Sequence, residues 1–257
     1  MKIALITGAS SGLGREFALQ ISKSKDRPEE IWAVARRTER LQELSRICSV
    51  PVRPISLDLT KEERLLDLKK LLGQEKPDIR LLVCAAGFGK IGKYSEISLE
   101  ETERMIDLNC KAAVAVTLLS LPWMKKGARI LEICSTSAFQ PFPYLNVYAA
   151  TKAFLYRYSR ALRVELFGRG IRVTAVCPYW VKDTEFIPKA KDAGGGKAVR
   201  HFPLASRRET VVKLALTDSR LGLPVSTPGP VCFLHRIAAK LLPGELMMGL
   251  WALIRRL

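Results

Sequence analysis

Short apolar runs alternate with longer helical patterns over most of this chain. An unbroken apolar run of strand length is typical of a strand buried on both faces, and such strands occur mainly in parallel sheets covered by helices. The pattern therefore predicts an α/β fold: a doubly wound parallel sheet in a single domain, with ligands bound beyond the carboxyl ends of the strands. The predicted strands are residues 3–6, 31–35, 52–55, 79–84, 128–134 and 171–176. The predicted helices are residues 13–23, 38–47, 62–72, 99–123 and 147–167.

The composition is that of an ordinary globular domain, but the net positive charge is unusually high. Of the 257 residues, 48% are hydrophobic and 26% are charged, so disorder is not expected. The 42 Lys and Arg residues against 25 Asp and Glu give a net charge of +17, which suits nucleic acid, anionic lipid, or an anionic cofactor or substrate. The sequence has no long run of like charges and no Cys/His finger spacing, so we expect no nucleic-acid partner.

The cysteines and the apolar segments indicate a cytoplasmic protein. Each of the six cysteines stands singly, without a CxxC pair, and most lie in apolar stretches, as small buried side chains do. Reduced thiols fit this arrangement better than a disulfide framework, and we expect no metal site. The first residues lack the long apolar region of a signal peptide, and no uninterrupted apolar run reaches the ~18 residues of a membrane-spanning helix.

A glycine-rich segment, TGASSGLG at residues 7–14, lies between the first predicted strand and the first predicted helix. Glycine tolerates a positive φ and lets the backbone approach a pyrophosphate, which binds favourably at the positive N-terminus of a helix. Because the segment directly follows a strand, it indicates a dinucleotide site more strongly than glycines alone, for which an ordinary turn is the simpler interpretation. The candidate phosphate-binding residues are Gly8, Ser10, Ser11, Gly12, Leu13 and Gly14.

Two arginines, Arg36 and Arg37, follow the second predicted strand, and no acidic residue occurs between Glu30 and Glu39. In a two-strand nucleotide site an acidic side chain here would bind the ribose 2′-hydroxyl, whereas an arginine accommodates a 2′-phosphate through charge-assisted hydrogen bonds. The residues therefore favour NADP(H) over NAD(H) as the cofactor. The simpler alternative is that both arginines are solvated charges at the start of a helix.

Tyr148 and Lys152 are four residues apart in a predicted helix, so both project from one helix face. An ammonium group close to a phenol stabilises the phenolate, which predicts a lowered pKa for Tyr148 and a role as a general acid or base. Taken alone, a tyrosine and a lysine at this spacing are common, and usually mean a solvated lysine beside a core tyrosine.

Together, the glycine motif in its TGxxxGxG form, the Tyr148–Lys152 pair and Ser135, thirteen residues before the tyrosine, resemble the short-chain dehydrogenase/reductase family. The resemblance extends from residue 2 to about residue 184 and implies a Rossmann-like oxidoreductase that interconverts a carbonyl and an alcohol with a nicotinamide cofactor. It implies that Tyr148 and Lys152 also contact that cofactor. It further implies that Ser135 binds the substrate oxygen, with Ser137 as a less well spaced competitor, and that Asn109 holds a water linked to the lysine.

The same resemblance implies further cofactor contacts, and here the sequence departs from the family in places. Arg36 is implied as the stronger phosphate ligand of the two arginines. The other implied contacts are Asp58 and Leu59 beside the adenine, Ala86 and Gly87 after the fourth strand, and Val181 and Thr184 near the nicotinamide. Ala85 replaces the family's usual asparagine and Tyr179 its usual glycine. Without the resemblance, Asp58 would be taken for a helix N-cap.

Residues 184–208 correspond to the segment that forms a mobile substrate lid in the family. Its bases suit an anionic substrate, although they are equally consistent with a solvated face. The glycines and bases concerned are Lys189, Lys191, Gly194, Gly195, Gly196, Lys197 and Arg200. The apolar loop at 139–144 instead favours a steroid- or lipid-like substrate. The alternatives are a 3-oxoacyl thioester reductase and, in another class, a non-catalytic nucleotide-sensing or membrane-associated binding protein.

The segment 230–257 is apolar and basic, and Pro243 and Gly244 interrupt it, so it is too broken to span a bilayer. It follows a short seventh strand that the resemblance implies within 223–227. We predict a C-terminal helical extension that packs beside the substrate entrance or on a second subunit of a homo-oligomer, either a dimer or a tetramer. Peripheral contact with a membrane through this segment is the competing interpretation.

Overall fold

The computed structural model describes residues 1–191, 199 and 204–255, and its centre is a parallel sheet. The strands are β1 (Lys2–Thr7), β2 (Glu30–Ala35), β3 (Val52–Ser56), β4 (Asp78–Cys84), β5 (Arg129–Ile133), β6 (Arg172–Val176) and β7 (Val225–Ser226). They form a 7-stranded sheet in the order β3-β2-β1-β4-β5-β6-β7, and each neighbouring pair is parallel. The sheet therefore grows outward from β1 in both directions.

Helices cover both faces of this sheet. They are α1 (Gly12–Ser22), α2 (Thr38–Ile47), α3 (Glu62–Glu75), α4 (Leu99–Ile106), α5 (Ala113–Ser120), α6 (Asn146–Glu165), α7 (Phe186–Lys191), α8 (Arg208–Arg220), α9 (Pro230–Leu241) and α10 (Gly244–Ile254). In β1, Ile3 and Leu5 pack into one core cluster with Val116 of α5, while Ala4 and Ile6 pack into another on the opposite face. Because both faces are buried, no position of the strand interior is left for a polar side chain.

The order of the strands reverses direction between β1 and β4, which places the carboxyl ends of these two strands at a crevice. The backbone N–H of Ala86, just beyond β4, donates a hydrogen bond of 3.1 Å to the Thr7 hydroxyl at the end of β1. The predicted fold class, a doubly wound parallel sheet with a C-terminal helical extension, is thus confirmed. The crevice is where a ligand is expected in such a sheet.

The predicted helix over 99–123 is present, but its middle is wound more widely than an α-helix. One turn of π-helix, Asp107–Ala112, separates α4 from α5, and a short 3₁₀ turn follows at Leu121–Trp123. Apolar periodicity cannot reveal such a turn, because one wide turn leaves the composition unchanged. Among the described residues, Leu99–Trp123 is long and apolar enough to cross a membrane, which is weak evidence because core helices of soluble proteins pass the same test.

The C-terminal extension packs against the loop that leads into α6. The indole N–H of Trp251 donates to the carbonyl of Pro143 at 3.0 Å, and the Gln140 side-chain amide donates to the carbonyl of Met247 at 3.3 Å. The Trp251 and Phe142 rings meet edge to face, with centroids 5.0 Å apart. Because Phe142 also lines the cavity described below, α10 supports one wall of the candidate site from outside.

Candidate active site

The glycine-rich loop between β1 and α1 is held close to its neighbours by glycines that no other residue could replace without strain. Gly8 has a φ of +68°, and a Cβ there would lie 2.7 Å from the carbonyl oxygen of Ala85. A Cβ on Gly14 would collide with the carbonyl group of Gly8. The loop therefore folds back on itself and leaves the N-terminus of α1 facing the crevice, an arrangement that suits a pyrophosphate.

A cavity of about 580 Å³ runs from this loop to α6. It brings together the predicted nucleotide-binding residues, which are Gly8, Ser10, Ser11, Gly12, Leu13, Gly14, Arg36, Arg37, Asp58, Leu59, Ala86, Gly87, Val181 and Thr184. Ser135, Tyr148 and Lys152 line its other end. Asn109 is the one predicted site residue that does not line it.

The two arginines after β2 differ in their surroundings. Arg36 is exposed at the cavity, near the carboxylate of Asp58. Arg37 is fixed from two sides: its Nε and Nη2 donate to the Ser10 hydroxyl at 3.3 and 3.2 Å, and its Nη1 donates to both carboxylate oxygens of Glu185 at 3.2 and 2.9 Å. The sequence after β2 predicted both arginines, but it did not predict that Glu185 pairs with Arg37.

Asp58 closes a turn just after β3. Its Oδ1 accepts hydrogen bonds from the backbone N–H of Thr60 at 3.1 Å and from the Thr60 hydroxyl at 2.8 Å. Burial raises the pKa of Asp58, but these hydrogen bonds and the charge of Arg36 outweigh it and lower the pKa below its ordinary value. The N-cap of α3 is Lys61 rather than Asp58, so Asp58 stays beside the cavity as a carboxylate.

Tyr148, Lys152 and Ser135 meet where α6 passes the end of β5. The Ser135 side chain lies close enough to Tyr148 to lower the pKa of the phenol. The ammonium of Lys152 donates to the carbonyl of Ile133, the last residue of β5, at 2.7 Å, and lies 5.8 Å from the centroid of the Tyr148 ring. Tyr148 and Lys152 are both buried, so the pair lies in the low-polarity interior and not on a solvated helix face.

The expected lowering of the Tyr148 pKa does not occur in this site. Burial raises the pKa of Tyr148 above its ordinary value, and the nearby Ser135 side chain offsets only part of that rise. Burial also lowers the pKa of Lys152. The reason is that desolvation penalises the charged forms of both groups. A positive charge brought next to the phenol, such as that of an oxidised nicotinamide, would favour phenolate.

Asn109 lies in the π-helical turn, and both the oxygen and the nitrogen of its amide form hydrogen bonds within the protein. Its Oδ1 accepts from the backbone N–H of Phe88 at 3.1 Å, and its Nδ2 donates to the carbonyl of Phe88 at 2.8 Å and to the Thr151 hydroxyl at 3.0 Å. That hydroxyl donates in turn to the backbone carbonyl of Tyr148 at 2.7 Å. Asn109 thus joins the loop after β4 to α6.

Ser137, the competitor of Ser135, is buried and donates its backbone N–H to the Ser135 hydroxyl at 3.1 Å. Within the described residues its own hydroxyl has no hydrogen-bond partner. Ser137 lines the same cavity, so the geometry brings both serines to the site, and of the two it is Ser135 that lowers the pKa of the tyrosine.

Sequence reasoning missed two neighbours of Tyr148. The rings of Phe186 and Tyr148 lie 5.4 Å apart, and a Cβ on Gly89 would lie 2.7 Å from the Tyr148 ring. Neither residue belongs to a motif, and no spacing rule links them to α6. The predicted lid residues Gly194, Gly195, Gly196, Lys197 and Arg200 lie outside the described residues. Among the described residues, no group of three or more metal-binding side chains occurs.

Comparison with known proteins agrees with this geometry. The family model described as short chain dehydrogenase matches residues 2–193. An uncharacterized oxidoreductase of Myxococcus xanthus is 35% identical over 186 residues, covering 70% of this chain and 72% of the relative. The NADP-dependent 3-hydroxy acid dehydrogenase of Salmonella typhi is 34% identical over 201 residues, covering 76% of this chain and 80% of the relative. A short-chain dehydrogenase from Sphingobium yanoikuyae, solved in complex with NADPH, has a TM-score of 0.79 at 29% identity, covering 97% of this chain and 94% of that one.

The fold and the site together define an oxidoreductase that binds a nicotinamide cofactor. The chain belongs to the short-chain dehydrogenase/reductase family.

Proposed function

We propose that this protein is an NADP(H)-dependent oxidoreductase that interconverts a carbonyl and an alcohol. One observation carries the proposal: a single cavity joins the arginines after β2 to Tyr148, Lys152 and Ser135. Its guanidinium groups suit the 2′-phosphate of a dinucleotide, and its glycine cradle, which a Cβ would fill, suits the pyrophosphate. The names of the Salmonella relative and of the NADPH-bound Sphingobium structure support the same cofactor.

The chain's own residues supply the proton chemistry. The bound nicotinamide would supply or accept the hydride. Ser135 holds the substrate oxygen by a hydrogen bond, and Tyr148 gives a proton to that oxygen in reduction or takes one from it in oxidation. Lys152 donates one N–H to Ile133 and keeps its other donors for the cofactor. Asn109 is a positioning residue, because it fixes α6 through Thr151 and touches no reacting atom.

The walls around Tyr148 favour an apolar, steroid- or lipid-like substrate. The aromatic and aliphatic side chains that line this end of the cavity are Phe88, Phe142, Leu145, Tyr179, Trp180 and Phe186. A second candidate is reduction of a 3-oxoacyl thioester. Lys90, which is paired with Glu101 at 2.8 Å, and Arg104 line the cavity as well, and a relative carries the name of a 3-hydroxy acid dehydrogenase. A panel of bulky ketones, 3-oxoacyl thioesters and small aldehydes separates the two.

Replacing Arg36 by Asp should shift the cofactor preference from NADP(H) toward NAD(H). A carboxylate repels the 2′-phosphate and accepts a hydrogen bond from a ribose 2′-hydroxyl. We expect the ratio of kcat/KM for NADPH to that for NADH to fall by at least about tenfold, the factor that ~1.4 kcal/mol represents. The measurement is initial-rate kinetics with both cofactors and the best carbonyl of the panel.

Arg46→Asp is the control for this experiment, since it makes the same charge change on an exposed residue of α2 that does not line the cavity. Its cofactor ratio should equal that of the wild type. If the wild-type protein used both cofactors equally well, the proposed NADP(H) preference would be wrong. If it oxidised NADPH with no carbonyl of the panel while still binding it, the non-catalytic alternative would be favoured.

For its partners we propose a small-molecule carbonyl or alcohol and a second copy of the chain, in a cytoplasmic dimer or tetramer. The outer face of α9 and α10 supports contact with a further surface. Its exposed apolar side chains are Phe233, Leu234, Ile237, Leu241, Leu246, Leu250 and Leu253. Patches of this kind mark contact sites, and a lipid interface would cover them as a second subunit would.

Trp251→Ala should raise KM for a bulky ketone several-fold and change kcat little. The indole supports Phe142, a wall of the cavity, so its removal loosens substrate binding without touching Tyr148. Leu253→Ala, at a side chain that is 66% exposed, is the matched control. Unchanged KM in Trp251→Ala would contradict a role for α10 at the substrate entrance.

Deleting residues 244–257 and measuring mass in solution and salt-sensitive vesicle binding then separates self-association from membrane contact.

A further inference from the structure

Arg37 is engaged before any nucleotide arrives. All three of its guanidinium nitrogens donate hydrogen bonds: Nε and Nη2 to the Ser10 hydroxyl, and Nη1 to both oxygens of Glu185. Glu185 follows Thr184 and lies 148 residues from Arg37 in the sequence, so this ion pair ties the segment after β6 to the end of β2. The two side chains are 37% and 39% exposed, which leaves the pair accessible from the cavity mouth.

Glu185 is held in its charged form. Lys189, one turn further along, donates to its Oε2 at 2.6 Å, and Arg37 approaches the same oxygen at 2.9 Å. The hydrogen bond from Lys189 is the largest effect and lowers the pKa of Glu185; burial raises it, and the hydrogen bond and charge of Arg37 lower it further. A carboxylate therefore stands about one hydrogen-bond length from the guanidinium that a 2′-phosphate would seek.

A phosphate and a carboxylate bind an arginine side chain in the same way. Both accept paired N–H donors from the flat guanidinium group, so the donors of Nη1 that now bind Glu185 cannot bind a phosphate at the same time. The two anions would also repel each other at this distance. Arg36 is exposed at the cavity near Asp58, and no ion pair with Glu185 involves it among the described residues.

We propose that Glu185 competes with the 2′-phosphate of NADP(H) for Arg37, and so sets the affinity for the phosphorylated cofactor. This inference rests on the proposed NADP(H) dependence. It makes Glu185 a specificity-determining residue that acts by occupying a guanidinium, although it lies outside the glycine motif and outside β2. Binding of a 2′-phosphorylated nucleotide breaks the Arg37–Glu185 contact, while Lys189 remains beside the released carboxylate.

Calorimetric titration with adenosine 2′,5′-bisphosphate and with 5′-AMP tests the competition without turnover. Glu185→Gln should bind the bisphosphate about three- to tenfold more tightly than the wild type, the range expected from loss of one partly solvated ion pair and one repulsion. Binding of 5′-AMP, which lacks the 2′-phosphate, should not change. Glu101→Gln is the matched control, because Glu101 is an acid in the same cavity that pairs with Lys90 away from the arginines.

A second variant shows whether the effect passes through Arg37. In an Arg37→Met background, Glu185→Gln should tighten binding of the bisphosphate by much less, since the shared guanidinium is gone and only the relief of repulsion remains. Weaker binding by Glu185→Gln would overturn the proposal, because it would mean that Glu185 orients Arg37 for the phosphate. Unchanged binding would overturn it too.

The same titrations distinguish failure of this proposal from failure of the proposed NADP(H) dependence. If the wild type prefers the bisphosphate and Glu185→Gln has the same preference, the proposed competition is wrong, but the assignment of NADP(H) still holds. A preference that appears only in Glu185→Gln supports the competition and contradicts the assignment of NADP(H) to the wild type. Equal binding of both nucleotides by both proteins removes both proposals.

Discussion

Tyr148→Phe should lose turnover by about 10²–10⁴-fold while it binds the cofactor as the wild type does, because general acid–base catalysis is typically worth that much. The phenol lies close to Ser135, and the ring itself packs on Phe186, so phenylalanine keeps the packing and loses only the proton carrier. Single-turnover rates with saturating NADPH and a binding titration by nucleotide fluorescence measure the two properties separately.

Tyr156→Phe provides the control for this loss. Tyr156 is on the same helix, α6, packs edge to face on Phe139 and does not line the cavity. It should keep full turnover. A loss of less than about tenfold in Tyr148→Phe would show that another group carries the proton. Ser137 is the first candidate, because it lines the cavity and its hydroxyl has no hydrogen-bond partner among the described residues. A loss of cofactor binding as large as the loss of turnover would mean that the tyrosine acts in binding.

The second large effect is expected in stability, at the buried carboxyl group of Glu132 in β5. Its side chain is fully buried; Oε1 accepts from the Thr117 hydroxyl at 2.7 Å, and among the described residues Oε2 has no hydrogen-bond partner. Burial, against the lowering effect of the Thr117 hydrogen bond, raises the pKa of Glu132 from 4.5 to about 7. The folded chain therefore keeps a proton that the unfolded chain releases near pH 4.5.

The sign of the pH dependence follows from this difference. Between pH 4.5 and about 7 the folded state binds more protons than the unfolded state, so the stability due to Glu132 is fully present below that window and falls as pH rises through it. The loss is about 3 kcal/mol, at ~1.4 kcal/mol per pKa unit. Glu132→Gln stays neutral at every pH, so its free energy of unfolding relative to the wild type should rise by about that amount from pH 4.5 to pH 8.

Urea unfolding of both proteins across this range measures the effect, and the difference between them cancels the titration of all other groups. Glu103→Gln, at an exposed position of α4, should run parallel to the wild type at every pH. A constant offset between Glu132→Gln and the wild type, with no slope, would mean that Glu132 titrates alike in the folded and unfolded states.

Most of the sheet could be predicted from the sequence, because strands buried on both faces carry unbroken apolar runs and cannot be mistaken for half-exposed ones. β1 is the clearest case, since Ile3 and Leu5 enter one core while Ala4 and Ile6 enter the other. β7 is only two residues long and has no such run, so only the family resemblance indicated it. Boundaries elsewhere differ by a residue or two, as helix and strand ends generally do.

The candidate site was predictable where chemistry demands a fixed spacing and not elsewhere. Tyr148 and Lys152 must share a helix face, and the glycines must permit a positive φ, so both leave local patterns in the sequence. Glu185 reaches Arg37 across 148 residues, and no local rule connects them. The raised pKa of Tyr148 was also out of reach, because it depends on burial, which spacing does not report.

The π-helical turn at Asp107–Ala112 changes the direction in which the side chains of this helix point. Such a turn amounts to one residue inserted into an α-helix, so side chains on either side of it are out of phase by roughly 100°, the rotation of one residue. Met105, before the turn, packs in the cluster around Tyr148, whereas Ala112 and Val116, at its end and beyond, pack in the core beneath the sheet. With ordinary helical winding, positions 105 and 116 would point in nearly the same direction. The wide turn therefore lets one helix pack first against the cluster around Tyr148 and then against the core beneath the sheet.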